Sequence, residues 1–396
     1  MTRIRPAMGL SVSKTPSRRT LLRIAAGGAL TAAVALASGV RPRLVHAGEP
    51  TFSAEIQTAL SRILARHMMD QGIPGVVAGV WIPGRGNWVG VAGTSDTATG
   101  APLLREDKFR IASVTKTFTA TAVLQLVDDG KLSLDDHLEQ YITGIPNGDQ
   151  ITIRQLLGMM AGIFNWIEDP AFMDAYGRDP LLPFTPQDVV EIVRRHPPDF
   201  APGERVQYSD TNYILLGLII EQVTGRPAGE VITEHVIRPL GLTNTSFPTT
   251  PAMPSPYSHG YAEAADGTGL RDVTLSNPDV PWTAGAIISD LGDLRVWAKA
   301  LATGTLLSPA TQRERLTFRP EPGTGAGYGL GIFDVDGFIG HNGAIFGYST
   351  WVVYLPEEEA TIVVLTNRAE TETETATGIF ADIARLLFPG RLPPPQ

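Results

Sequence analysis

Ser113 and Lys116 form a Ser-x-x-Lys sequence, in which a hydroxyl and an amine stand three residues apart. At the start of a helix, residues at this spacing share a face, so the two groups can touch. A serine hydroxyl needs a neighbouring base before it attacks a carbonyl, and burial disfavours the charged form of a lysine. Free backbone N–H groups at the helix start would suit a developing oxyanion. The pair therefore indicates acyl-transfer chemistry with Ser113 as nucleophile.

The same motif also has an ordinary structural interpretation. Ser113 would then be a serine at a helix start, and Lys116 a solvated lysine of the first turn. A second match from Ser11 to Lys14 shows that the motif alone is weakly specific. The surrounding sequence must decide between the two interpretations.

Other kinds of chemistry are excluded by what the sequence lacks. No Gly-x-Ser-x-Gly elbow occurs, which argues against an α/β-hydrolase, and no His-x-x-x-His pair, phosphate loop or dinucleotide fingerprint is present. Zero cysteines exclude disulfides, thiolate catalysis and Cys-ligated zinc. The net charge of −9 becomes −17 without the basic first 47 residues, and such a chain repels nucleic-acid phosphates. We therefore expect no metal, no cofactor and no nucleic-acid partner.

Three longer segments, residues 109–136, 200–225 and 340–367, are similar in order and context to the motif regions of the penicillin-recognising serine hydrolases. That family contains class C β-lactamases, D-alanyl-D-alanine carboxypeptidases, D-amino-acid amidases and related esterases. The segments hold, in turn, Ser113-Val114-Thr115-Lys116, Tyr208-Ser209-Asp210 in place of Tyr-x-Asn, and His341-Asn342-Gly343 in place of Lys-Thr-Gly or His-x-Gly. The resemblance covers nearly all of residues 52–388.

The resemblance implies a role for each motif residue. Ser113 would form an acyl-enzyme, Lys116 would act as base or proton relay, and Tyr208 would be the second proton carrier. The backbone N–H groups of Ser113 and Ala344 would form the oxyanion hole. The implied substrate-binding residues, to which the segment around Trp282 is added as a cleft wall, are Asp210, His341, Asn342, Gly343 and Trp282.

Asp210 departs from the usual Asn, and this leaves two alternatives open. If Asp210 is ionised, it would pair with Lys116 and raise the pKa of the lysine, so that more of the proton transfer falls to Tyr208. If it is protonated, it would mimic Asn.

A second departure concerns the substrate. Residues 328–344 contain Asp334 and Asp336 and no Lys or Arg that could grip a terminal carboxylate, and Ala344 lacks the hydroxyl often found at its position. This weakens D-Ala-D-Ala cleavage and lactam binding, and it favours an esterase or amidase acting on a neutral acyl substrate.

Three function hypotheses follow. The first is a serine hydrolase of the D-alanyl-D-alanine carboxypeptidase or β-lactamase-related type, acting on peptidoglycan stem peptides. The second is a hydrolase of the same fold acting on esters, lactams or small amides. The third is a non-catalytic cell-wall binding protein. The expected partner is a small-molecule or peptide acyl substrate, and we expect a monomer.

The elements that must position these residues change character along the chain. Strands are predicted near both ends and helices in the middle. The predicted helices are 52–71, 114–129, 152–160, 186–195, 212–224, 228–237, 290–302 and 372–387, and the predicted strands are 76–81, 88–92, 327–335, 337–341, 348–354 and 361–366. This order indicates an α+β fold with an antiparallel sheet built from both termini and flanked by helices. An inserted, mostly helical lobe at roughly 114–300 would leave the site in a cleft. The resemblance implies the β-lactamase/transpeptidase-like version of this fold.

The first 47 residues are typical of a bacterial twin-arginine signal peptide. They hold eight Lys or Arg, no Asp or Glu, the pair Arg18-Arg19, an apolar run at 24–40 and a small-residue cleavage site at 45–47. We expect export to the periplasm or beyond, without a permanent membrane anchor; an uncleaved anchor is the alternative. The hydrolase domain would then span 48–388, and 389–396 would form a Pro-rich tail.

Overall fold

The computed structural model describes residues 50–264, 267–369 and 375–392. The predicted leader, the last four residues of the tail and the first three of the predicted helix 372–387 lie outside the described residues. Across these described ranges, no helix has both the length and the apolar character needed to cross a bilayer.

One large antiparallel sheet brings the two ends of the chain together. Among the described residues it has nine strands in the order β3-β2-β1-β13-β12-β11-β10-β9-β8. The strands are β1 Gly75–Ile82, β2 Gly86–Asp96, β3 Ala101–Pro102, β4 Phe109–Arg110, β5 Tyr261–Glu263, β6 Leu270–Asp272, β7 Ile288–Ser289, β8 Arg319–Pro320, β9 Gly327–Tyr328, β10 Phe333–Val335, β11 Phe338–Ile345, β12 Tyr348–Leu355 and β13 Ala360–Thr366. In the middle of the sheet, Val76 pairs with Ala92 on one side and Thr366 on the other. The prediction of a sheet built from both termini is confirmed.

Helices cover the sheet and fill the middle of the chain. They are α1 Ala54–Gln71, α2 Thr115–Asp128, α3 Ile153–Leu157, α4 Pro170–Arg178, α5 Pro186–Arg195, α6 Asp210–Thr224, α7 Ala228–Ile232, α8 Trp282–Gly285, α9 Leu291–Thr303, α10 Pro309–Arg315 and α11 Thr375–Leu387. Helices α1 and α11 pack together against the sheet, and α9 packs on β1, β12 and β13. Because helices cover it, β1 is buried at all eight positions, as are β12 and β13 along their whole lengths.

Helix α2 forms the centre of the inserted lobe and is buried at every position from Thr115 to Leu124. Threonine hydroxyls in this apolar setting need partners, because an unpaired buried hydroxyl costs about 1–3 kcal/mol. The hydroxyls of Thr117 and Thr121 donate to carbonyls within the helix and its preceding turn, and that of Thr119 donates to the Thr283 carbonyl. The α+β prediction with an inserted helical lobe is confirmed.

The structure differs from the predicted elements in a few places. The predicted strand 327–335 is divided into β9 and β10, because Gly331 adopts a left-handed φ of +73° between them. The predicted helix 228–237 ends as α-helix at Ile232 and continues as a π turn. The sequence did not predict helices α4, α8 and α10 or the short strands β3 to β8.

Candidate active site

Ser113 lies in a single 3-10 turn, Ala112–Val114, directly ahead of α2. The preceding residue Ala112 has a φ of +49°, a region that costs a non-glycine residue about 1–2 kcal/mol. Backbone bonds hold the turn in place, since Ile111 donates to the Ile287 carbonyl and Val114 donates to that of Ile111. Strain of this kind persists where the surroundings fix it, as they do at many reactive residues.

Lys116 is enclosed by three oxygen atoms and has no exposed surface. Its Nζ lies 3.1 Å from Ser113 Oγ, 2.6 Å from Asp210 Oδ1 and 2.8 Å from the Ala284 carbonyl oxygen. Burial lowers the pKa of Lys116, and the neighbouring carboxylate of Asp210 opposes part of that shift. The sequence expectation that burial disfavours the charged lysine agrees with this direction.

The three partners of Lys116 differ in whether they can donate a hydrogen bond as well as accept one. The Asp210 carboxylate and the Ala284 carbonyl only accept hydrogen bonds, whereas the Ser113 hydroxyl can accept or donate. A charged lysine would donate to all three oxygens. A neutral lysine would donate to Asp210 and Ala284 and turn its lone pair toward Ser113. The arrangement therefore suits transfer of a proton from Ser113 to Lys116 without any movement of the other partners.

Asp210 is the first residue of α6. Its backbone N–H donates to Asn165 Oδ1, and the next residue, Thr211, exchanges hydrogen bonds with the backbone of Phe164 and Trp166. These contacts tie the start of α6 to the loop at 162–166. An ionised Asp210 and a protonated Asp210 that mimics Asn can both accept the hydrogen bond from Lys116, so both alternatives stay predictions.

Tyr208 lies beside the same lysine. The centroid of its ring is 4.9 Å from Lys116 Nζ, and its side chain is buried. The ring also approaches the rings of Tyr328 and His341, with centroids 6.4 Å and 6.2 Å away. The structure therefore brings Tyr208 into the cluster, and its role as second proton carrier stays a prediction.

Strand β11 contributes its backbone to the site at Gly343. A Cβ on this glycine would lie 2.6 Å from the carbonyl oxygen of Ile111 and 2.8 Å from the backbone nitrogen of Ser113. Strand β10 pairs with β11 only as far as Gly340, so it leaves the edge of residues 341–345 open beside the turn Ala112–Val114. Ala344 follows Gly343 on the strand, and its pairing with Ser113 as an oxyanion donor stays a prediction.

His341 is buried on β11 with its ring near that of Tyr208, and its predicted place in the cleft wall stays a prediction. Its ring is 1% exposed, with Nδ1 2.5 Å from the Asn342 carbonyl oxygen and Nε2 3.1 Å from the Tyr328 hydroxyl. Because a carbonyl only accepts, Nδ1 carries the proton and the tyrosine donates to Nε2. Burial lowers the pKa of His341 to about 3. Asn342 is also buried and pairs in register with Trp351. Both residues therefore support the strand, and contact with substrate remains a prediction for each.

Trp282 is largely buried, and its predicted place in the cleft wall stays a prediction. Its side chain is 8% exposed and packs against Gly217 of α6, where an added Cβ would lie 2.6 Å from the ring. Helix α8, which begins at Trp282, contacts the site through Ala284, whose carbonyl oxygen accepts a hydrogen bond from Lys116. Ala284 has no recognisable signal in the sequence, because any residue type can supply a carbonyl oxygen.

One wall of the helical lobe is made of aromatic rings. The sequence did not predict this aromatic cluster. The rings of Trp166, Phe172, Phe184 and Tyr176 stack or pack edge to face, with centroids 4.5–5.4 Å apart, and Tyr176 continues to Phe346 at 5.4 Å. This aromatic wall connects the loop beside Asp210 to the hairpin that follows Ala344. No group of three His, Cys, Asp or Glu side chains with the spacing of metal ligands occurs among the residues that the structure describes.

Comparison with known proteins adds the family context. A family model described as Beta-lactamase matches residues 60–385. The D-stereospecific amidohydrolase of a Streptomyces species is 34% identical, with a TM-score of 0.74 over 86% of this chain and 99% of that one. The D-amino acid amidase of Ochrobactrum anthropi SV3, solved with L-phenylalanine amide, is 26% identical, with a TM-score of 0.74 over 84% of this chain and 98% of that one.

Curated relatives cover less of the chain. PbpX of Bacillus subtilis (strain 168), named as a penicillin-binding protein, is 28% identical over 65% of this chain and 62% of its own length. Protein flp of Staphylococcus aureus (strain N315) is 29% identical over 66% of this chain and 53% of its own length. The chain thus spans less than two thirds of either relative.

Proposed function

This chain belongs to the Beta-lactamase family of serine hydrolases, amidases and peptidases, and on that premise we propose that it hydrolyses amides through an acyl-enzyme on Ser113. The observation that carries the proposal is the set of contacts at Lys116. A lysine without exposed surface, held by two pure acceptors and one serine hydroxyl, is placed to take the proton of that serine.

The proposed reaction has two stages. Ser113 Oγ attacks the amide carbonyl while its proton passes to Lys116 Nζ, and the oxyanion accepts hydrogen bonds from the backbone N–H groups of Ser113 and Ala344. The C–N bond then breaks as the leaving amine takes a proton from Lys116 or Tyr208. In the second stage a water molecule attacks the acyl-enzyme, gives a proton back to Ser113 through the same groups and releases the acid.

The substrate class rests on the two solved structures with amidase names. Each of them matches nearly its whole length to this chain. We therefore propose an amide of a D-amino acid or a short D-peptide as the substrate. A carboxypeptidase or penicillin-binding activity, favoured by the relation to PbpX, is the second candidate.

One experiment ranks these candidates. The purified protein is incubated with D-phenylalanine amide, L-phenylalanine amide, a peptide ending in D-Ala-D-Ala, p-nitrophenyl acetate and a fluorescent penicillin. Product release and the intact mass of the protein are then measured. We expect turnover of the D-amide above the L-amide, and a mass increase that is absent in Ser113→Ala.

The matched control is Ser133→Ala, which removes an exposed hydroxyl in a surface turn. Turnover of the D-Ala-D-Ala peptide with stable penicillin labelling would favour the carboxypeptidase. A protein that neither turns over a substrate nor gains mass would contradict the proposal and favour a non-catalytic binding protein.

We also propose that the chain is exported by the twin-arginine route and works as a monomer outside the cytoplasm. The basic, acid-free first 47 residues support the export proposal. Replacing Arg18 and Arg19 together with lysine should leave unprocessed protein in the cytosolic fraction. Light scattering during size-exclusion chromatography tests the oligomeric state.

A further inference from the structure

Asp210 uses one carboxylate oxygen for Lys116, and its second oxygen is left for the cleft. Oδ1 accepts from Lys116 Nζ at 2.6 Å, whereas Oδ2 contacts no donor within residues 50–264, 267–369 and 375–392. The Asp210 side chain is 19% exposed, although the lysine that it contacts is fully buried. A carboxylate can only accept hydrogen bonds, so the open oxygen calls for a donor.

The charge at this position depends on Lys116. For Lys116 to take the Ser113 proton it must begin neutral, and its burial favours that form. With Asp210 ionised, its negative charge is then not neutralised by the lysine and lies at the partly exposed edge of a buried cluster. A cation in the substrate would meet this charge at a site with little water, where charge-assisted hydrogen bonds are strong.

We infer that Asp210 is a specificity-determining residue that binds the free α-ammonium group of the substrate. This inference rests on the proposed amide hydrolysis and names the substrate more closely, as an amide or short peptide with an unblocked N-terminal residue. It replaces the expectation of a neutral acyl group with that of a cationic one. The amide side chain of an Asn, usual at this position, would offer donors as well as an acceptor and would carry no charge.

The distances fit an ammonium on the α-carbon. Ser113 Oγ and Asp210 Oδ1 both lie within hydrogen-bonding distance of Lys116 Nζ, at 3.1 Å and 2.6 Å, so they are less than about 6 Å apart. In an amino acid the α-nitrogen is two bonds, or about 2.5 Å, from the carbonyl carbon. With the carbon about 3 Å from Oγ, the nitrogen lies within hydrogen-bonding reach of a carboxylate at that distance.

The test compares three substrates that differ only at this nitrogen: D-phenylalanine amide, N-acetyl-D-phenylalanine amide and 3-phenylpropanamide. At pH 7 most of the α-amino group of the first is protonated. For the wild-type protein we expect kcat/KM to be about 10- to 100-fold higher for the free amine than for either neutral compound, the factor typical of one charge-assisted hydrogen bond.

The variant Asp210→Asn separates specificity from catalysis. It is expected to slow all three substrates, because Asp210 contacts Lys116, but the ratio between free amine and neutral compound should fall to within about threefold. The control Asp174→Asn changes an aspartate that is 68% exposed and paired with Arg178, and it should keep the wild-type ratio. A wild-type ratio near one, or a ratio that Asp210→Asn leaves unchanged, overturns the inference.

A second measurement needs no variant. D-Phenylalaninol and its N-acetyl form are compared as competitive inhibitors of the wild-type protein, and the free amine should bind at least about tenfold more tightly. Equal inhibition overturns the inference even if Asp210→Asn does not fold. Failure of the proposed function can be distinguished from failure of this inference. If the proposed function is wrong, no amide is hydrolysed and no acyl group appears on Ser113.

Discussion

The two walls of the candidate site contribute in different ways. On the helical side, Ser113 and Asp210 each place a side-chain oxygen within 3.1 Å of the Lys116 nitrogen. On the sheet side, His341 is buried and held neutral. Strand β11 contacts the turn Ala112–Val114 through its backbone at Gly343. Reactive side chains can therefore be confined to the helical side, while the sheet side supplies the shape of the site and backbone amide groups. Substitutions on the helical side should therefore lower mainly the catalytic rate, and substitutions on the sheet side should act through the shape and stability of the site.

The largest effect is expected from Lys116→Met, which keeps the length and apolar stem of the side chain but removes the nitrogen. Without a proton acceptor, kcat should fall by at least about 10³-fold. The assay is hydrolysis of D-phenylalanine amide at saturating substrate. Lys131→Met is the control, because Lys131 is 56% exposed and pairs only with Asp129 in the described part of the chain. A loss of less than about tenfold would place the base elsewhere.

On the sheet side, Gly343→Ala should act through shape. Its Cβ would lie 2.6–2.8 Å from backbone atoms of Ile111 and Ser113, which cannot move aside as a flexible side chain could. We expect the free energy of unfolding to fall by about 1–3 kcal/mol and kcat/KM by about 10- to 100-fold. Urea unfolding and amide hydrolysis measure the two effects. Gly177→Ala, at a helical glycine with open space around it, should change neither quantity much.

The neutral state of His341 predicts a dependence of stability on pH. The pKa of His341 is about 3 in the folded protein, below the ordinary value of 6.5. The unfolded chain therefore binds the proton first as the pH falls, so stability is complete above pH 6.5 and is lost as the pH drops toward 3. Between pH 6.5 and 5.5 the histidine should reduce the free energy of unfolding by about 1 kcal/mol.

Urea unfolding of wild type and His341→Gln over this range isolates the contribution of the histidine. The variant should show a smaller decrease on acidification, whereas His235→Gln, at an exposed histidine, should follow the wild type. Parallel curves for wild type and His341→Gln would mean that the ring can become charged in place. The sheet side would then be a candidate source of reactive side chains.

The smallest effect is expected from Thr350→Val. Thr350 pairs in register with Gly343, and among the described residues its buried hydroxyl has no hydrogen-bond partner. Replacing this hydroxyl by a methyl group should stabilise the fold by about 1 kcal/mol and leave activity unchanged. Thermal unfolding and amide hydrolysis measure the two quantities. A loss of activity would show that the sheet side contributes a side chain to the reaction.

The sequence predicted best those parts of the molecule whose pattern is local. Strand β1 and helix α5 begin and end within one residue of their predicted bounds, because β1 is a short apolar run and α5 begins with Pro186 after the capping Thr185. The two-residue strands β4 and β7 have no such pattern, since each is defined only by pairing with the other. Helix α4 carried a start signal that was overlooked, Asp169 as N-cap followed by Pro170.

The candidate site also divides into residues that a local sequence pattern predicts and residues whose position depends on three-dimensional packing. Ser113 and Lys116 could be paired from their spacing, and Tyr208 and Asp210 could be placed beside them from the family resemblance. The burial of His341 could not be predicted, because it depends on Tyr328 and on the packing of β11 in three dimensions. The third acceptor of Lys116 belongs to a backbone carbonyl 168 residues away, at Ala284, and no side-chain pattern encodes it.

The pairing of β1 with β13 has a consequence for how the chain is made. Val76 in β1 pairs with Thr366 in β13, so the central strands cannot close until residue 366 has left the ribosome. Contacts between residues so distant in sequence form slowly, because a long loop must close before they contribute. Until then β1 exposes an unpaired apolar edge of the kind that aggregates. Synthesis of this protein should therefore depend on a chaperone that shields β1 until β13 has been synthesised.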